Sequence, residues 1–142
     1  MSMLNIPLRV RNLIKKYGTK NPFTLCKILK IHIRYMDLGN VKGVYKKIIT
    51  NKFIIINENL SEIMQLIVLC HELGHAILHD TKEIQSFKDC DLFPRVSNQI
   101  ENEANIFATE LLFDENNDIY ETKINEKDMK ILENLRNLKD KR

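Results

Sequence analysis

Apolar residues at Val10, Leu13, Ile14 and Tyr17 fall at helical spacing ahead of Gly18, which predicts a short helix over residues 7–17 closed by a glycine. Asn21-Pro22 then opens a second helix reaching about residue 29, with asparagine as N-cap and proline in the first helical position. From Ile31 the period drops to two. Ile31, Ile33 and Tyr35 alternate with His32, Arg34 and Met36 up to the turn Asp37-Leu38-Gly39-Asn40. Two further β-branched or aromatic segments, 44–49 and 53–56, flank a hairpin-like Thr50-Asn51-Lys52. Helical spacing returns behind Ser61, a cap with Glu62 in the first turn where the helix dipole favours an anion, and runs to about His79. Residues 80–96 show no period and contain Pro94, so they read as loop; two more helices span about 97–113 and 125–138. The pattern predicts an α+β fold, a small three-stranded antiparallel sheet packed with about five helices.

A chain of 142 residues suits a single domain, 1–142, and can bury about two-thirds of its unfolded surface without disulfides. Its core is expected over about 21–113. No apolar run reaches the roughly 18 residues of a membrane span. The N-terminal MSMLNIPLRVRNLIKKYG lacks the basic, apolar, small-residue order of a signal peptide. Cys26, Cys70 and Cys90 are odd in number and far apart, which favours reduced thiols. Both features point to the cytoplasm. The net charge of +3, from 22 basic and 19 acidic residues mixed along the chain, is too small a bias to imply direct nucleic-acid binding.

Against this background one stretch is anomalous. LCHELGHAILHD, residues 69–80, carries three of the four histidines and a glutamate in an otherwise apolar helix. Buried polar groups cost roughly 1–3 kcal/mol each unless something satisfies them. His71, Glu72 and His75 form H-E-x-x-H, and on a helix two histidines four apart lie about one turn, roughly 6 Å, from each other on one face. Both can reach one zinc ion, while Glu72, about 100° round the axis, suits a carboxylate that handles water. The small Gly74 leaves room close to the backbone. A catalytic zinc needs a third protein ligand. His79 is about 12 Å beyond His71 along the helix, too far to share its ion. ENEANIFATELL, residues 101–112, offers Glu101 and Glu103 on opposite edges of an apolar stripe and Glu110 two turns below Glu103. Periodicity does not choose among the three.

HELGHAILH followed after a loop by ENEANIFATELL resembles the ImmA/IrrE family of intracellular metallopeptidases. The likeness extends upstream through NPFTLCKIL, DLGNVKGVY and INENLSEIMQ, covering about residues 21–113. It implies a zincin-like active-site helix and one Zn2+ per chain held by His71, His75 and Glu103, with Glu72 as the catalytic carboxylate. It also implies a zinc-dependent endopeptidase that cleaves a helix-turn-helix transcriptional repressor. His79 is then expected to orient a ligand or stabilise the oxyanion, with Tyr45 its rival for the second task. Either segment 44–49 or segment 53–56, as an edge strand, would hold the substrate chain by β-augmentation. Two other functions fit the motif: a zinc-stabilised module that sequesters a regulator without cutting it, and a deformylase-like hydrolase. The first has no use for Glu72, and the second needs an upstream Glu-Gly-Cys that FTLCKIL does not supply.

Overall fold

A computed structural model describes residues 5–79, 85–87, 99–114, 117–118 and 126–140. The chain runs α1 (Ile6–Tyr17), α2 (Pro22–Ile28), β1 (Ile31–Met36), β2 (Gly43–Ile48), β3 (Asn51–Asn57), α3 (Glu62–Leu78), β4 (Gln85–Phe87), α4 (Gln99–Leu112), β5 (Phe113–Asp114), β6 (Asn117–Asp118) and α5 (Glu126–Asp140). The fold is α+β, and the five helices expected from the pattern are present. Their ends are set by the residues that marked them. Asn5 accepts from the Leu8 amide, Asn21 from Phe23 and Thr24, and Ser61 from Met64, each satisfying amides that the first turn leaves without a partner.

The sheet differs from the expectation in two respects: it is mixed, and it carries a fourth, short strand. Its order is β1-β3-β2-β4, with β1 parallel to β3 and β2 antiparallel to both β3 and β4. Residues 37–42 carry the chain past the end of β3 and deliver β2 to its far side. Asn57, the last residue of β3, pins that crossing: its side-chain amide donates to the carbonyls of Gly39 (3.0 Å) and Val41 (2.9 Å), and its backbone N–H to Lys42 (2.9 Å). The run Phe53-Ile54-Ile55-Ile56 suits the resulting central position, where apolar side chains are wanted on both faces. Neither strand proposed as a substrate-binding edge is one. β3 lies between β1 and β2, and β4 pairs with the Gly43–Tyr45 stretch of β2, so the outer strands are β1 and β4. β4 falls inside the segment read as loop, and its three residues are too few to show a period. Much of the rest of that segment, and Cys90, lie outside the described residues.

One face of the sheet packs against α3, burying Ile54, Ile56 and Tyr45 with Ile67, Leu69 and Leu73, while α4 adds Phe107, Leu111 and Leu112 from the other side of α3. Helix α3 is thus the central layer, touched by the sheet, by α2 and by α4. At its start, Ser61 Oγ also donates to the buried carboxylate of Asp128, tying α5 to the α3 cap. Toward its end, the Lys52 ammonium donates to the carbonyl of Ala76 at 3.3 Å. Cys26 and Cys70 are buried free thiols; burial pushes Cys26 up to about 12 and Cys70 higher still, so both are held as unreactive SH groups.

Candidate metal centre

Helix α3 presents His71 and His75 one turn apart toward α4, and both are buried. Their spacing works because α4 comes unusually close. A methyl at Gly74 would stand 3.1–3.2 Å from three atoms of the Phe107 side chain, closer than ordinary packing permits. The hydrogen at Gly74 lets α4 lie against the histidine face.

That approach delivers Glu101, not Glu103, to the histidines. Glu101 Oε1 lies 3.0 Å from His71 Nε2, and Glu101 Oε2 lies 2.9 Å from His75 Nε2. Among the described residues these three form the cluster capable of holding a metal ion, their ligand atoms all within 4.8 Å of one another. Glu103, the ligand implied by the family resemblance, sits half a turn round α4, and its carboxylate meets His79 at 2.8 Å. The sequence carried a signal that separates the two. Glu101, Asn105 and Thr109 recur at every fourth position, and all three are buried among apolar neighbours. They form one polar line down the buried face of α4, and Glu103 is not on it.

Asn105, which the sequence reading did not single out, decides the state of His71. Its amide oxygen lies 2.8 Å from His71 Nδ1, so Nδ1 carries the proton and Nε2 presents a lone pair to Glu101. Burial, opposed by the nearby Glu101 carboxylate, holds the His71 pKa below its ordinary 6.5, which keeps the ring neutral. Burial raises the Glu101 carboxyl too, but its close contacts with the His71 and His75 rings outweigh burial and bring the group to about 2. A neutral imidazole and an ionised carboxylate are the protonation states that metal ligation requires. A lone pair on His71 Nε2 facing a carboxylate oxygen at 3.0 Å has no proton to share, and a cation between them supplies what is missing. The donor set therefore fits a divalent metal.

Glu72 is also fully buried, on the side of α3 that faces β2. Gly43 lets β2 lie close to this side of α3: a methyl there would stand only 2.4 Å from Val68 Cγ1, and at ordinary contact, 3.4 Å, from Glu72 Oε2. A glycine in a strand is the sequence mark of such a close backbone approach, and Gly43, at the start of β2, is that mark here. Tyr45, two residues on and on the same face of β2, is fully buried. Glu110 lies outside the metal cluster.

Two histidines of an H-E-x-x-H helix meeting a glutamate from a second helix define a zincin-type metallopeptidase site. The comparisons make the class specific: the chain belongs to the family of IrrE N-terminal-like domains, whose model matches residues 26–136. It is 41% identical over 108 residues to "Uncharacterized immunity region protein 2" of Bacillus phage phi105, covering 75% of this chain and 67% of that protein. It is 38% identical over 106 residues to Metallopeptidase ImmA of Bacillus subtilis (strain 168), covering 73% of this chain and 60% of that protein. The chain thus spans about two-thirds or less of the length of these relatives. The family match reaches into α5, beyond the region where sequence motifs alone carried the likeness.

Proposed function

We propose that the protein is a zinc-dependent endopeptidase of the cytoplasm that cleaves a helix-turn-helix transcriptional repressor at one site. The observation that carries the reading is the buried convergence of His71, His75 and Glu101 with Glu72 one residue along the same helix. The relatives support it: one is named a metallopeptidase and the other an immunity-region protein of a phage. In the described residues no helix is long and apolar enough to cross a membrane.

His71, His75 and Glu101 would hold one zinc per chain. When bound, zinc supplies Lewis acidity toward the scissile carbonyl and toward water. Glu72 takes the proton from the attacking water and returns it to the leaving nitrogen, so that a single carboxylate serves as base and then as acid. Its burial excludes competing solvent. Tyr45, buried on β2, would donate toward the oxyanion. The substrate chain would add to the outer edge of β4, which pairs with the β2 stretch beside Glu72.

Incubation of the purified protein with the repressor encoded beside its gene, with zinc or with chelator, tests this reading. One defined cut by wild type, none with chelator and none by Glu72→Gln is the expected result. Relief of repression by an intact, uncut complex with Glu72→Gln would show a sequestering module instead.

A further inference from the structure

Glu103 and His79 stand outside the metal cluster, yet they form a chain of contacts that ends on one of its members. His79 Nε2 lies 2.8 Å from Glu103 Oε1, and His79 Nδ1 lies 3.0 Å from His75 Nδ1. Both side chains are mostly buried, 10% and 14% exposed, so water competes little for these contacts. Two ring nitrogens at 3.0 Å share one proton. One must donate and the other accept.

The metal site fixes the direction. An imidazole that offers Nε2 to a cation keeps its proton on Nδ1. His75 Nδ1–H therefore donates to His79 Nδ1, which must carry a lone pair. A neutral His79 with a lone pair on Nδ1 has its proton on Nε2, and Nε2 faces the Glu103 carboxylate. Every donor then meets an acceptor. The opposite order places a proton on His75 Nε2, where it faces Glu101 and removes the lone pair a cation needs.

We propose that Glu103 and His79 are positioning residues that fix His75 in the Nδ1–H form and hold its Nε2 lone pair on the metal, as Asn105 does for His71. The two ligands are supported unequally. His71 leans on a neutral amide, whereas His75 leans through His79 on a carboxylate, which makes His75 the more electron-rich donor. The proposal rests on His71, His75 and Glu101 being the ligands.

Two measurements test it. Nitrogen NMR of the zinc-loaded protein should find His75 protonated on Nδ1 and His79 on Nε2; His79 carrying its proton on Nδ1 would overturn the proposal without any variant being made. Zinc affinity, read by competition with a chromophoric chelator, should fall about 10- to 100-fold in His79→Phe, the range for losing such an outer hydrogen bond. It should fall by less in Glu103→Gln, and His79→Asn, whose amide oxygen can take the place of Nδ1, should recover most of the loss. Glu101→Ala separates the two readings. If it abolishes stoichiometric zinc while His79→Phe and Glu103→Gln bind as wild type does, the ligand set stands and the positioning chain is refuted. If Glu103→Gln empties the site and Glu101→Ala does not, the ligand set itself is wrong and the chain falls with it.

Discussion

Replacing Gly43 by alanine puts a methyl carbon 2.4 Å from Val68 Cγ1 and 3.3 Å from the Ile55 carbonyl oxygen. Ordinary carbon contacts lie at about 3.5–4.0 Å, so more than an ångström must be recovered by movement. Val68 is fully buried in the middle of α3, and a helical valine has one strongly preferred χ1, so its side chain has nowhere to turn. The strand must retreat instead. Overpacking of this kind costs about 1–3 kcal/mol, and the severity of the overlap puts Gly43→Ala near 3. Val68→Ala alone should cost about 2 kcal/mol by leaving a cavity. In the double variant the new methyl fills that cavity, so the two costs should fall short of adding by at least about 1 kcal/mol. Urea denaturation of metal-free protein at constant m-value measures all three. Since β2 also backs Glu72, peptide cleavage by Gly43→Ala should fall while zinc content stays at one per chain. Strict additivity, or a Gly43→Ala protein within about 0.5 kcal/mol of wild type, would refute the close approach of β2 to α3.

Ile49 holds φ at +56° at the tip of the β2–β3 hairpin with 87% of its surface exposed, so Ile49→Gly should stabilise the fold by about 1 kcal/mol by relieving left-handed strain; an unchanged or lower urea midpoint counts against this. Ser61→Ala removes both the α3 cap and a hydrogen bond to buried Asp128, and should cost about 2 kcal/mol; Asp128→Asn, which keeps a hydrogen-bonding side chain, should cost less. Metal-free protein should lose stability on acidification. Below pH 6.5 the unfolded chain protonates His71 while burial keeps the folded ring neutral, and below 4.5 it protonates Glu101, whose folded carboxyl holds out to about 2. The unfolded state therefore binds more protons across the window, and a urea midpoint that rises from pH 7 to pH 4 would contradict the assignment.

What could be read from the sequence was whatever depends on neighbours along the chain. The caps at Asn21 and Ser61 and the helical face of His71 and His75 are local, and each stands where its pattern placed it; the hairpin is local too, but it turns at residues 49–50, slightly ahead of the expected Thr50-Asn51-Lys52. The errors concern pairs that only the tertiary fold creates. Period-two spacing identifies β1 as a strand but carries no information on whether its partner runs parallel, and that was settled by a crossing that Asn57 pins. Glu101 and Glu103 lie two residues apart on one helix, and along the chain only the polar line through Asn105 and Thr109 tells them apart. The choice between them depends on which edge of α4 meets α3, and hence on the contact between Gly74 and Phe107. The family resemblance picked the motif, and within it the fold brings Glu101 rather than Glu103 beside the two histidines.

The parallel β1–β3 pair and the separation of the ligands also set an order of events in time. The β2–β3 hairpin closes on its own two-residue turn, a step of microseconds. Strand β1 can only join an already formed β3, and the two histidines must wait for a carboxylate 30 residues further along. At a synthesis rate of about 5–20 residues per second, Glu101 leaves the ribosome roughly two to six seconds after His71. During that interval a nascent chain has the H-E-x-x-H segment but no cradle that can retain a metal. Metal capture is therefore confined to chains that have already brought α4 against α3.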